Sequence, residues 1–231
     1  MIETEFKDAR RHMTNLLAST ERRCLIWLAA RMPAGINSDH LTVLALFAML
    51  MAGVSYWAAR ANPLALLMAI GWLAANWFGD SLDGTLARVR GRQRPRYGFY
   101  VDHVVDCIGV SFLLAGLGAS GFMSPMVAAI LLVAYLLLSI EIYLATYSMA
   151  VFHMSFWGFG PTELRIVLAI GTVALLFDPR VEVLGASYRL FDVAGIVATV
   201  GLAITLAFSI ARNVRALYRA EPLPEPLVQV S

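Results

Sequence analysis

Charge is what this sequence has least of. Only 15% of its 231 residues are charged, where a soluble domain carries about a quarter. Hydrophobic residues make up 59%, and the mean hydropathy is +0.70. These values exclude an ordinary soluble domain and point to an all-α integral membrane protein. Cysteine is scarce too. Cys24 and Cys107 fall in segments read as cytoplasm-facing or membrane-embedded, so no structural disulfide is expected. A cleavable signal peptide is not expected either, because the N-terminus is charged and no continuous apolar run precedes Leu41. There is no repeat of fixed period and no low-complexity block. A net charge of +2 and a pI near 8.7 say little alone. No nucleic-acid partner is expected.

Against this apolar background the chain divides into three parts: an N-terminal amphipathic segment (1–38), a membrane domain (39–213) and a flexible tail (214–231). Residues 1–18 are polar and basic with scattered apolar residues. Residues 21–32 set Leu25, Ile26, Trp27 and Leu28 beside Arg22, Arg23 and Arg31. Both stretches read as interfacial helices. Pro33 and Gly35 break the second, and Ser38 or Asp39 is placed to cap the next helix. Six transmembrane spans are predicted, at about 39–59, 63–88, 98–119, 124–150, 161–178 and 189–211. Pro63 opens the second, and Gly118, Ser120 and Gly121 end the third. A loop with His153 and Gly158-Phe159-Gly160 precedes the fifth. The tail, with Pro222, Pro224 and Pro226, reads as disordered.

Six spans place both termini on one side, and the basic residues choose which. Lys7, Arg10, Arg11, Arg22, Arg23 and Arg31 lie before the first span, and Arg88, Arg90, Arg92, Arg94 and Arg96 between the second and third. Arg165 opens the fifth, and Arg212, Arg215 and Arg219 come after the sixth. Only Arg60, Arg180 and Arg189 fall on the other side. Both termini are therefore expected in the cytoplasm, with the protein multi-pass in an inner membrane or equivalent endomembrane.

One stretch resists this apolar pattern. Asp80 and Asp83 are three residues apart near the end of the second span; Asp102 and Asp106 are four apart in the third. Each pair lies on one helical face. Gly84 and Ala87 continue the first stripe, and Gly98 and Gly109 flank the second. Gly84 and Gly98 would let backbones, or a ligand, approach closely. Four acids in lipid need neutralising. Oxygen ligands suit hard cations, Mg²⁺ first, then Mn²⁺ or Ca²⁺. Two such ions about 3.5–4 Å apart would clamp a phosphoryl group, and the arginines of the adjacent loop would attract a polyanion. The residues alone thus suggest a membrane enzyme acting on a diphosphate that enters from the cytoplasm.

The same stretch resembles the signature of the CDP-alcohol phosphotransferases: D-x2-D-G-x2-A-R, a gap, then G-x3-D-x3-D. Asp80, Asp83, Gly84, Ala87, Arg88, Gly98, Asp102 and Asp106 fill it, with a nine-residue gap slightly longer than the commonest form. The resemblance implies transfer of the phospho-alcohol part of a CDP-alcohol to an acceptor alcohol, with CMP released, in phospholipid biosynthesis. It implies a CDP-alcohol donor and an alcohol acceptor, at least one of them a lipid, and a homodimer. Asp80, Asp83 and Asp102 would hold two divalent cations, with Asp106 completing the site and acting as general base. Gly84 and Ala87 would leave room for cytidine, and Arg88 would meet the phosphates. Asp102-His103 and Gly160-Pro161-Thr162-Glu163 are also similar to the choline/ethanolamine phosphotransferase branch. There, the residues matching His103 and Glu163 would assist deprotonation.

Other polar residues have plainer readings beside functional ones. His103 could serve only an interhelical hydrogen bond, and Glu163 could favour a helix N-terminus. Glu141, alone inside the fourth span, is read as facing a cavity, with an arginine partner or a helix interface as alternatives. Asn76 lies one turn before Asp80, either supporting the site or packing helices. Cys107 is a packing residue. A cation transporter using the same aspartates is the competing class; paired broken helices, which would support it, are not seen.

Overall fold

A computed structural model describes residues 18–149, 161–221 and 223. The polar arm before Ala18, the loop with His153 and Gly158-Phe159-Gly160, and nearly all of the proline-rich tail lie outside the described residues. Those that are described form α1 (Ala18–Arg31), α2 (Ser38–Ala58), α3 (Ala65–Val89), α4 (Pro95–Ser120), α5 (Pro125–Met149), α6 (Pro161–Phe177), β1 (Arg180–Val183), β2 (Ala186–Arg189) and α7 (Leu190–Ala220). From α2 onward the helices alternate in direction. The starts of α2, α4 and α6 share one end of the bundle with the finishes of α3, α5 and α7.

Four of the described helices, α2, α4, α5 and α7, are long and apolar enough to cross a membrane. Helix α3 has 25 residues, but Asn76, Asp80 and Asp83 dilute its apolar character. Helix α6 has 17 described residues. The second amphipathic stretch forms α1, which packs on α3.

Several boundaries differ from expectation for identifiable reasons. Asn37, not Ser38 or Asp39, caps α2: its Oδ1 accepts from the His40 N–H at 3.1 Å, and its own N–H donates to His40 Nδ1 at 3.2 Å. Ser38 and Asp39 are occupied elsewhere. Ser38 Oγ donates to the Asp83 carbonyl at 2.9 Å, and Asp39 pairs with Arg94 at 2.6 Å. Helix α3 begins at Ala65, just after Pro63. The basic loop is shorter than its sequence suggested, because Pro95 takes a first-turn position of α4, which its fixed φ suits. Beyond residue 211, α7 runs on to Ala220, through residues expected in the tail. Arg212, Arg215 and Arg219 extend it as a polar helical end. Between α6 and α7 the chain makes an unexpected antiparallel hairpin pairing Arg180 with Arg189 and Val183 with Ala186.

Lipid gives apolar faces little reason to leave it, so close backbone packing and polar contacts hold membrane helices together. Helix α2 offers Ala45, Ala48, Ala52 and Gly53, all buried, to α3 and α4. A Cβ added at Gly116 would fall on the Gly53 backbone. One added at Gly79 would lie 2.6 Å from the Leu41 carbonyl oxygen. Among the described residues, close backbone approach therefore occurs at Gly53, Gly79 and Gly116 rather than at Gly84 and Gly98, which leaves the ligand alternative for those two. The main core, with Tyr56, Leu66, Leu73, Leu113 and Leu117, lies on the hairpin side. A smaller cluster of Leu25, Ala29, Leu41, Leu82 and Leu86 sits under α1.

Candidate carboxylate site

Helical geometry decides which acids meet. Residues three apart diverge by about 60° around a helix axis, residues four apart by about 40°. Asp102 and Asp106 therefore stay together on α4, and Asp80 of α3 joins them. One carboxylate oxygen from each lies within 4.8 Å of the other two. Asp83 is not in that group. Its Oδ2 accepts from Thr42 Oγ1 of α2 at 2.7 Å, and its Oδ1 meets the Gly84 N–H. The four acids thus divide into a cluster of three and a neighbour facing α2.

A cation from α6 answers part of this charge. Arg165 Nη2 donates to Asp80 Oδ2 at 2.6 Å, and its Nε donates to Asn76 Oδ1 at 2.7 Å. Asn76 in turn donates to the Ala45 carbonyl of α2 at 3.0 Å, so it both packs helices and orients the arginine. Arg165 Nη1 is buried with no hydrogen-bond partner among the described residues. Three half-buried carboxylates thus share one small volume, with the Arg165 guanidinium bonded to one of them. Concentrating like charge away from bulk water is costly, and an oxygen-only donor set suits hard cations. The residues present fit a divalent metal.

The remaining sequence candidates surround this cluster. Arg88 folds back along α3, its Nη2 donating to Thr85 Oγ1 at 2.9 Å. A Cβ at Gly84 would meet only the Arg88 side chain, at 3.4 Å, and one at Gly98 would meet nothing within 4 Å. Packing among the described residues therefore does not explain either glycine. Ala87 lines a cavity of about 410 Å³ with Asn37, Asp39, Arg90, Arg92 and Arg94. Arg90 closes one side by bonding the carbonyls of Met32, Pro33 and Ile36.

His103 lies beside the cluster. Its Nδ1 is 3.6 Å from Asp102 Oδ2, and its ring stacks on Phe99 at 4.1 Å and meets Tyr143 edge-on at 4.7 Å. Tyr143 also places its hydroxyl 3.6 Å from Cys107 Sγ, in keeping with a packing role for that cysteine. Glu163 occupies the first turn of α6, two residues before Arg165. Glu141 takes the helix-interface alternative rather than the cavity-facing one. Its two oxygens accept from Ser209 Oγ at 2.9 Å and Asn213 Nδ2 at 2.6 Å, which makes it an α5–α7 interface residue.

Two residues gain importance that the sequence alone did not assign. Arg165 had counted only as side-marking charge. Its signal was the cost of a charge in an apolar helix, which demands a partner but does not identify one. Glu21 of α1 is the other. Its Oε1 accepts from Trp77 Nε1 at 2.8 Å, Thr162 Oγ1 at 2.7 Å and Ser81 Oγ at 3.5 Å. One carboxylate oxygen thus ties α1 to α3 and α6, beside Asp80 and Glu163.

No curated protein matches the chain in a sequence search. A family model described as CDP-alcohol phosphatidyltransferase matches residues 36–211, the whole helical bundle from the turn before α2 into α7. With that match spanning most of its length and enclosing the carboxylate cluster, the chain belongs to the CDP-alcohol phosphatidyltransferase family, a family of phosphotransferases of phospholipid synthesis.

Proposed function

We propose that this protein transfers the phospho-alcohol part of a CDP-alcohol to an acceptor alcohol and releases CMP. The observation that carries the reading is the convergence of Asp80, Asp102 and Asp106 from two helices with one arginine between them and α6. The family generally uses divalent cations. Asp80, Asp102 and Asp106, with Asp83 alongside, would hold two, Mg²⁺ or Mn²⁺. When bound, they would offset the carboxylate charge, draw in the pyrophosphate and make the acceptor hydroxyl more acidic.

The chain's own residues supply the rest. Gly84 and Ala87 leave room for the cytidine, and Arg88 meets the phosphates. Arg165 Nη1 is a ready donor to a phosphoryl oxygen. Asp106 accepts the proton as the acceptor oxygen attacks the β-phosphorus and the bond to CMP breaks. His103, held between Phe99 and Tyr143, fits a positioning role toward Asp102. Glu163, carried on the helix that delivers Arg165, assists from the other side.

The excess of arginine at the carboxylate end supports a cytoplasmic orientation for that end and both termini, with six helices crossing the bilayer. The homodimer is carried over as a family property. The family match does not favour the cation-transport alternative. A purified-enzyme assay of CMP release tests the whole reading. Asp80→Asn, Asp102→Asn and Asp106→Asn should each lower turnover at least about a thousandfold. Chelation should abolish turnover and added Mg²⁺ restore it. Full activity in any of the three variants would overturn the site.

A further inference from the structure

The end of the bundle opposite the carboxylates carries a second constellation. The end of α2, the end of α4 and the hairpin enclose a groove of about 430 Å³, with Arg60, Arg180 and Arg189 among its lining residues. Three separate elements deliver these arginines. Arg180 and Arg189 are direct cross-strand partners, an arrangement in which like charges destabilise a hairpin. Arg60 makes one long bond, from Nη1 to the Ala119 carbonyl at 3.4 Å.

The acids of this end do not line the groove. Asp178 Oδ1 accepts from the Arg180 backbone N–H at 2.8 Å. Asp192 Oδ1 accepts from the Ser124 N–H at 2.5 Å, and its Oδ2 is 4.0 Å from Arg189. Glu182 stands across from Ser187. Arg189 is partly answered by Asp192, but among the described residues the groove's own lining carries three arginines and no acid, so an anion with several acceptor oxygens would suit it.

A different observation says where that anion comes from. The hairpin turns through Leu184 (φ 53°) and Gly185 (φ 80°). Two-residue turns of this kind favour Asn-Gly or Asp-Gly, because a side chain at positive φ is strained. Yet the first turn residue is leucine, and it is fully exposed. Phe177 at the end of α6 and Tyr188 within β2 are exposed as well. An apolar residue in an unfavourable backbone conformation gains nothing from water. It gains from the acyl boundary of a bilayer, and the hairpin joins directly to α7, one of the helices apolar enough to span it.

We propose that this groove binds the phosphate of an anionic phospholipid in the leaflet opposite the carboxylate cluster. Arg60, Arg180 and Arg189 take the phosphate oxygens, and Leu184 seats the hairpin tip among the acyl chains. The assignment does not depend on the reaction proposed above.

Native mass spectrometry of the full chain in mild detergent, titrated with phosphatidylglycerol, phosphatidylcholine or inorganic phosphate, tests it. Wild type should retain phosphatidylglycerol at least about tenfold more tightly than phosphatidylcholine. The R60Q/R180Q/R189Q variant should lose that preference. Leu184→Asn, which improves the turn chemistry and so folds, should weaken phosphatidylglycerol retention several-fold with all three arginines intact. Unchanged preference in the triple variant would overturn the proposal, as would unchanged retention in Leu184→Asn. Displacement of the lipid by inorganic phosphate at equal concentration would overturn the lipid assignment.

Discussion

Arg165→Gln separates the charge role of the α6 arginine from its packing role. The guanidinium meets Asp80 at 2.6 Å, with the two side chains only 17% and 19% exposed. Breaking a buried pair by removing one partner costs about 3–5 kcal/mol. The residual exposure of both groups brings the expected loss down to roughly 2–3 kcal/mol. For a chain of this size that corresponds to a fall of roughly 5–10 °C in apparent unfolding temperature. Glutamine can still bond Asn76, so the loss reports mainly on the uncompensated carboxylate. Pairing the change with Asp80→Asn removes that carboxylate charge. The double variant should recover to within about 1 kcal/mol of wild type, because two amides can bond each other at this site. Activity should not recover: CMP release should stay at least about a thousandfold down in the double variant, as in Asp80→Asn alone. Thermal unfolding in a single detergent, run beside the CMP assay, measures both. Equal destabilisation of the single and double variants would refute the charge argument, as would an Arg165→Gln protein as stable as wild type.

Glycine substitutions should divide into two classes. Gly84→Ala should keep or raise stability, by about 0.5–1 kcal/mol for a helix-interior glycine, while raising the KM for the CDP-alcohol at least about tenfold. Gly79→Ala drives a Cβ against the Leu41 carbonyl, and should lose about 1–3 kcal/mol in the same unfolding assay. Equal KM values for wild type and Gly84→Ala would remove the ligand argument for that glycine. Glu21→Ala should free α1 from α3 and α6, so that trypsin cuts at Arg22, Arg23 or Arg31 about tenfold faster. Glu21→Gln keeps the accepting oxygen and should stay near wild type; identical cleavage of all three proteins would argue against the tie.

Much of the site was legible because its chemistry is local in sequence. The eight signature positions fall within one helix–loop–helix unit, and the i, i+4 spacing of Asp102 and Asp106 is enough to keep them together. The i, i+3 pair was harder. Whether Asp83 joins Asp80 or turns away depends on what α2 offers, and Thr42 supplies a hydroxyl at 2.7 Å. Arg165 and Glu21 were not legible as site residues for a related reason. Their partners lie 85 and 56 or more positions away, and no local pattern encodes such a meeting. The helices themselves could be read from apolar runs and breakers. The hairpin could not, because Leu184-Gly185 is an atypical turn pair between two very short strands. Gly84 and Gly98 were sound candidates for close approach, but only neighbouring helices reveal which glycines are squeezed.

Helix α7 meets α5 at two polar points near opposite ends. Ser124 at the start of α5 donates its N–H to Asp192, and Glu141 further along accepts from Ser209 and Asn213. Two such fasteners, set roughly five turns apart along α7, fix its register much as two rivets fix a strut. Sliding by one turn would leave Glu141 bare in lipid. Where a change in bilayer thickness is met by tilting, α5 and α7 would therefore tilt as a pair. Because α5 also packs on α4, which carries Asp102 and Asp106, such a tilt would bear on the helix that holds two of the three clustered acids.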